Sequence, residues 1–352
     1  MKYPLRFTHI IICAFISQWL SAQINGGNNV FEFLSLSPSA RITGLGGHLI
    51  TVQDDDVNLS ATNPAALNPA MHQQIAFNHN FMVADVSGGY AAFGYHAKPW
   101  GTTFHGGIQY LSYGKFDATD EAGMVNGEFK AADYAFTLGA GRQLYERVSV
   151  GANFRFITSQ LESYTSTGIA GDLAAMFHDT ARLLNITLVL RNFGTQLGTY
   201  TNGNREPLPV ELQAGISKQL RYLPFRFSII YRYLDRWNIL YDDPDTEEAV
   251  FFFGDEQGTS DNNFLDNLAR HFVFSGEFLL GKKDNFRLRL GYNHLQRKEL
   301  TVRNLRSLSG FSMGIGLKVN RFRVEYGRSF VHLGASLNHF SISTNLKEFK
   351  KH

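Results

Sequence analysis

The stretch Phe286-Arg287-Leu288-Arg289-Leu290-Gly291-Tyr292-Asn293 decides the fold. Its bulky apolar residues fall on every second position, with Arg287, Arg289 and Asn293 between them. Successive side chains of a strand point to opposite faces, so this segment sets one fatty face against one charged face. The period recurs along most of the chain. Val148, Val150, Ala152, Phe154 and Phe156 alternate with Ser149, Gly151, Asn153 and Arg155. Phe225, Phe227, Ile229, Tyr231 and Tyr233 alternate with Arg226, Ser228 and Arg232. Phe272, Phe274, Phe278 and Leu280 alternate with Ser275 and Glu277, and Phe322, Val324 and Tyr326 with Arg321, Arg323 and Glu325.

A soluble sandwich alternates too, but its strands run to about 5–6 residues. These segments run nearer 10, the length that crosses a bilayer when tilted. Aromatic residues at segment ends, such as Phe286 and Tyr292, fit girdles at the two membrane interfaces. Strands are predicted near 74–82, 88–97, 103–113, 133–143, 148–159, 163–178, 184–194, 208–219, 225–235, 271–281, 286–296, 310–319, 321–331 and 335–345. That is about fourteen, an even number as bacterial barrels require. The links at 98–102, 144–147, 179–183, 221–224, 282–285 and Asn320 are short. Those at 114–132, 195–207, 236–270 and 297–309 are long and polar, while 83–87 and 332–334 are short exceptions. Short turns at one end and long loops at the other are expected of a transmembrane barrel with periplasmic termini. The fold class expected is therefore all-β, an antiparallel transmembrane β-barrel of about fourteen strands.

The N-terminus supports export. Lys2 and Arg6 precede the apolar run from Ile10 to Ile16, and Leu20-Ser21-Ala22 offers a cleavage point, the order of a signal peptide over residues 1–22. The run is too short for a transmembrane anchor. The one cysteine, Cys13, falls inside it, so the mature chain has no disulfide and no cysteine metal site. Without residues 1–22 the chain carries 31 basic and 31 acidic residues, which excludes a basic nucleic-acid footprint. Aromatics at 14%, with 33 glycines against 9 prolines, suit long strands.

Residues 23–73 lack the alternation and begin with the turn-formers Gly26-Gly27-Asn28-Asn29. Fourteen strands leave a lumen, so 23–73 is expected as a plug inside a barrel of residues 74–352. The inward charges Arg155, Arg226, Arg232, Glu277, Arg287, Arg289 and Glu325 either hold that plug or solvate a water-filled lumen.

Other motifs have plain readings. Gly44-Leu45-Gly46-Gly47 lacks the strand–turn–helix setting of a dinucleotide fingerprint and reads as a permissive turn. Asp54-Asp55-Asp56 lacks the ligand spacing of a calcium loop and reads as a solvated turn or as a partner for lumen arginines. The acidic run Asp242, Asp243, Asp245, Glu247 and Glu248 lies in the longest external loop, either solubilising it or bridging divalent ions and lipopolysaccharide. Phe251-Phe252-Phe253 beside it is expected to pack on the rim or on a partner protein. The 12 histidines show no metal spacing, and no residues assemble a catalytic set. No enzyme, cofactor or metal is expected; a surface hydrolase would rest on a lone carboxylate such as Glu277 or Glu325.

One ordered set of motifs carries a family resemblance. Ser39-Ala40-Arg41-Ile42-Thr43-Gly44-Leu45-Gly46-Gly47, then Asp54-Asp55-Asp56, then Asn63-Pro64-Ala65-Ala66-Leu67 resembles the N-terminal signature of the PorV/PorQ group. Arg191-Asn192-Phe193-Gly194 and Leu208-Pro209 match later pieces, and the segments Gly26 to Leu34 and Tyr110-Leu111-Ser112-Tyr113-Gly114 are similar to the PorQ branch. Members are outer-membrane proteins of the Bacteroidetes type IX secretion system, on a barrel similar to the FadL fatty-acid transporters. The resemblance spans essentially the whole mature chain and implies that Arg41, Gly44, Gly46, Gly47, Asn63, Pro64 and Ala65 form the plug motif. It departs at the end, Phe349-Lys350-Lys351-His352, which leaves Phe349 or Phe340 as the terminal aromatic insertion signal. It implies docking of other type IX components, with PorZ, PorU and PorV as expected partners, besides outer-membrane lipid. The alternative is a FadL-like transporter of a small hydrophobic or amphipathic ligand, resting on the Asn63-Pro64-Ala65 element and the lumen.

Overall fold

The computed structural model describes residues 29–201, 203, 205–240, 261–281, 284–300, 307–332 and 335–349. The leader at 1–22, the Gly26-Gly27 turn, the acidic run 242–248 and Phe251, Phe252 and Phe253 lie outside the described residues.

Fourteen antiparallel strands close into one barrel. They are β1 Gln74–Phe81, β2 Ser87–Ala97, β3 Thr102–Thr119, β4 Val125–Tyr145, β5 Val148–Leu161, β6 Tyr164–Asp179 and β7 Leu184–Gly198. The second half is β8 Glu211–Gln219, β9 Phe225–Tyr231, β10 Phe272–Leu280, β11 Phe286–Asn293, β12 Phe311–Val319, β13 Phe322–His332 and β14 Ala335–Asn345. Closure comes from β1 against β14, in continuous register from Gln74↔Asn345 to Phe81↔Asn338, so this wall leaves no free edge there. Each predicted segment contains a strand.

The alternation sorts the two faces as the sequence implies. On β5, Phe154 and Phe156 stand exposed on the outer face while Asn153 and Arg155 are buried within. On β11, Leu288 and Leu290 are exposed and Arg287 and Arg289 buried. An outer wall of exposed Phe, Leu, Ile and Val over a polar interior inverts a soluble core, and lipid is the surrounding such a wall fits. No helix among the described residues is long and apolar enough to cross a membrane.

The wall is uneven. Strands β3 to β7 have 14–21 residues, whereas β8 to β12 have 7–9. Three expectations are corrected here. The span 114–132 is not a loop: β3 and β4 continue through it and pair from Lys115↔Lys130 to Thr119↔Val125. Strand β9 ends at Tyr231, and Tyr233 leaves the outer face because its φ of 54° bends the chain. Its ring stacks under Arg232 and Arg236. Strand β11 gives way after Asn293 to a helix, because the Asn293 side chain caps it by accepting from the Gln296 amide.

Among the described residues three α-helices stand outside the strands: α1 (Ala40–Gly44), α2 (Asp261–Arg270) and α3 (His294–Glu299). The last two sit at the long-loop end and are tied together by Asp266, which bonds Arg270 at 2.9 Å and Lys298 at 2.7 Å.

Candidate functional site

Residues 29–73 contain no strand, only α1 and short 3₁₀ turns at Glu32–Ser35, Val57–Ala61, Pro64–Ala66 and Pro69–Met71. Their apolar side chains are buried: Ile42, Leu45, Leu49, Ile50 and Leu59 cluster with Met176, Val189, Ile230 and Val273 from the strands. The backbone groups of a coiled segment need partners when water is excluded. Local caps supply some of them, and inward-facing side chains of the barrel supply others.

The caps explain the motifs. Ser39 accepts from the Ile42 amide at the start of α1. Asn63 holds its own turn by accepting from the Ala65 amide at 2.9 Å and donates to the Ile50 carbonyl at 2.6 Å, while Pro64 supplies a fixed φ at the first turn position. Gly46 and Gly47 have φ of 88° and 81°, where a side chain would be strained. Gly44 serves close approach instead, since a Cβ there would lie 2.9 Å from Gly314 Cα of β12. Ala65 is wholly buried, and Pro64 lies on the backbone of Gly141 and Gly151, two strand positions that cannot hold a side chain without moving it.

A cluster of four arginines and four carboxylates binds this segment to the wall. Arg41, fully buried, meets Asp54 at 2.7 Å, Asp56 at 3.2 Å and Glu277 at 3.2 Å. Register places Glu277 of β10 between Arg226 of β9 and Arg289 of β11. It binds both, at 2.8 Å for Arg289. Arg289 continues to Glu325 at 2.6 Å, and Arg287 and Arg226 stand 3.9 and 3.8 Å from Asp54. Beside the cluster, Arg323 pairs with Asp55 at 3.0 Å.

Arg155 lies apart, against Asp172 at 2.6 Å, and donates to the Ala61 carbonyl at 2.8 Å. Asn153 donates to the Ser60 carbonyl at 3.0 Å, so β5 satisfies the C-terminal carbonyls of one 3₁₀ turn. Arg232 is elsewhere again, bound to Glu211 by two hydrogen bonds of 2.7 and 3.0 Å. Of the seven inward charges singled out in the sequence, five share the Glu277 cluster and Arg155 and Arg232 do not.

Asp172, Glu211 and Asn153 were not singled out. Their inward positions in alternating strands are the signal that locates them. Asp172 also explains the Arg191-Asn192 motif: Asn192 takes φ 54°, its amide donates to Asp172 at 2.9 Å, and its side chain donates to the Pro209 carbonyl at 3.1 Å. Asn tolerates that left-handed geometry better than most residues, and a bulge between Gly171 and Leu173 accompanies it.

Above the segment, at the long-loop end, a cavity of about 450 Å³ opens between residues 35–48, the β1–β2 turn and the ends of β13 and β14. Leu36, Met82, Val83, Val86, Val331 and Leu337 make it apolar, and Thr43, His48, Gln296 and Ser329 place polar groups in it. Burial pushes the His48 imidazole well below its ordinary range, and Arg232 adds to this, so it faces the cavity region neutral.

No family model matches the sequence, and no curated protein matches it. Among solved structures, the chain is similar to the CymD monoaromatic hydrocarbon channel (13% identity, 88% of this chain and 96% of that one, TM-score 0.49). It is similar also to the Pseudomonas putida toluene transporter TodX (10%, 88% and 96%, 0.49) and to a Pseudomonas aeruginosa FadL homologue (9%, 88% and 98%, 0.49). What the strand pairing itself defines is a closed fourteen-stranded antiparallel barrel.

Proposed function

We propose that this chain is an outer-membrane barrel that admits a small hydrophobic or amphipathic ligand at its long-loop end, with residues 29–73 as the plug below the binding cavity. The cavity of about 450 Å³ carries this reading. Its size falls in the range of small-molecule sites, and an apolar lining with a few convergent polar groups is their usual chemistry. In this reading residues 1–22 are the export leader, both termini are periplasmic and the long loops face outward. Uptake of radiolabelled laurate into proteoliposomes tests it. Val331→Trp fills the cavity and is expected to lower uptake at least tenfold with the barrel intact; unchanged uptake rejects the reading.

The second reading, docking within type IX secretion, draws on the PorV/PorQ resemblance and on one feature of the wall. Strand β2 leaves β3 at Ser112 and β5 leaves β4 at Ala131, so residues 113–130 stand clear as a two-stranded ribbon. Phe116 and Phe129 stack at 5.2 Å on it, and Met124 and Val125 are exposed at its tip. Such an arm suits contact with PorZ, PorU or PorV. Recovery of no type IX component with the tagged protein from native outer membranes counts against this reading.

A further inference from the structure

The outer wall is apolar over most of its surface, but on the face formed by β13, β14, β1, β2 and β3 polar groups point outward. Strand β1 sends Asn78 and Asn80 inward, which leaves Phe77, His79 and Phe81 outside. His79 Nδ1 lies 2.7 Å from the hydroxyl of Tyr110 on β3, across the bare backbone of Gly89 on β2. On the other side, the Tyr326 hydroxyl donates to Asn338 at 2.8 Å. Two residues further along β13 stands Arg328, paired in register with Asn338, which is itself paired with the last residue of β1, Phe81.

Arg328 differs from the cluster arginines. Arg41, Arg226, Arg287 and Arg289 all reach carboxylates. Arg328 has no ion pair among the described residues, and its Nε is buried with no hydrogen-bond partner. Its guanidinium stands 5.1 Å from the centre of the Phe330 ring, against an aromatic face on the same outer side. A cation on a lipid-facing strand is costly away from the interface and needs an anion or water. Arg328 sits near the long-loop end of the wall.

Directly below these groups, towards the short turns, the wall holds a groove of about 540 Å³. Its floor is Ala91, and Phe77, Ile108, Val324, Phe340 and Ile342 form its walls. The apolar row Val324, Ile342, Phe77, Ala91 and Ile108 crosses five strands in register, His79 and Tyr110 edge it, and the guanidinium of Arg328 stands four residues above Val324 on β13. Apolar groove, then polar edge, then cation is the polarity sequence of one acyl chain and its phosphate. Arginine matches phosphate geometry with two parallel donors.

We propose that this face is a specific site for a phosphate-bearing lipid of the leaflet on the long-loop side, one acyl chain lying in the Ala91 groove and the phosphate on Arg328. The inference rests on the membrane-barrel reading and is independent of what passes the lumen.

The test uses the full-length protein in lipid nanodiscs, with bisphosphorylated lipid A and its dephosphorylated form of identical acyl chains as probes, read by native mass spectrometry. The wild type is expected to retain the phosphorylated form at least tenfold better. Arg328→Gln is expected to abolish that preference and Arg328→Lys to keep part of it, whereas Arg142→Gln, at an exposed cation near the opposite end of the wall, leaves it intact. Ala91→Leu, which fills the groove, is expected to lower retention of both forms. Equal retention of the two forms by the wild type overturns the proposal, as does a preference that survives Arg328→Gln. So does a wild-type dimer that Arg328→Gln dissolves, which would make a second copy the occupant. Failure of the wild type to insert into liposomes would reject the membrane reading itself, and insertion without lipid preference rejects only the lipid site.

Discussion

Replacing Arg41 by Met is the sharpest probe of how residues 29–73 are held. The side chain is fully buried and meets three carboxylates, Asp54, Asp56 and Glu277. Methionine keeps much of the volume, so the change is one of charge. Burial alone raises the Asp54 carboxyl, but Arg41, then Arg287 and Arg226, hold it well below the ordinary carboxylate range. Removing Arg41 strands a charged group against two arginines almost 4 Å away. Breaking a buried pair by deleting one partner costs about 3–5 kcal/mol. The lower end applies here, because Glu277 keeps Arg226 and Arg289. A loss of about 3 kcal/mol raises the detached population of the segment about a hundredfold. Chymotrypsin cleavage at Phe31 and Phe33 in proteoliposomes reads that population when reclosure outpaces cutting. The variant is expected to be cut about a hundredfold faster while the barrel keeps its gel mobility unheated. Adding Asp54→Asn removes the stranded charge and is expected to slow cutting again, by coupling of about 0.5–3 kcal/mol. Equal cleavage of wild type and Arg41→Met would refute the claim that this cluster holds the segment.

Three further outcomes are expected. Gly151→Ala places a Cβ 2.3 Å from the Pro64 carbonyl and is expected to cost about 1–3 kcal/mol in urea unfolding, whereas Gly106→Ala, with its nearest neighbour at 3.8 Å, is near neutral. Phe154→Arg, on the outer face, is expected to destabilise the inserted barrel by about 2–4 kcal/mol if it sits at the bilayer midplane, measured by refolding into vesicles. Burial raises the Asp266 carboxyl, but hydrogen bonds from Lys298 and Arg270 hold it down at about 2. The folded value is thus below the unfolded one, so its contribution is full above the ordinary carboxylate range and fades as pH falls towards 2. Amide exchange in α2 is expected to quicken over that window, and Asp266→Asn to be already quick at neutral pH.

The strands were legible because a barrel wall imposes one rule, period two, on each of them, and residues such as Arg287 and Leu288 obey it without reference to their neighbours. The ribbon at 113–130 was not legible, because it has no buried face: Lys115, Asp117 and Glu128 are as polar as any loop. Tyr233 was misplaced for a related reason, since alternation says nothing of where a φ of 54° ends it. The partners of Arg155 escaped because Asp172 comes beside it only through the register of β5 with β6, and Ala61 only when residues 29–73 pack against the inner face of β5. Helices α2 and α3 belong to the long loops, where alternation gives no signal and Asp266 ties the two together through Arg270 and Lys298.

The charges suggest why segment and wall form together. Within the Glu277 cluster and the neighbouring Arg323–Asp55 pair, residues 29–73 contribute Arg41 against Asp54, Asp55 and Asp56, a formal charge of −2. The strands contribute Arg226, Arg287, Arg289 and Arg323 against Glu277 and Glu325, a formal charge of +2. The assembled set is formally neutral. Without residues 29–73 the strands would carry their surplus unpaired, and the free segment would carry three adjacent carboxylates with one arginine. Buried charges are tolerated when paired and costly when not, so each half supplies the counter-charge the other lacks. Neutrality also predicts what opens it. Removing carboxylates from the set leaves the arginines in excess, and their repulsion acts to expel the segment, whereas the apolar cluster that holds Ile42 and Val273 opposes it unchanged.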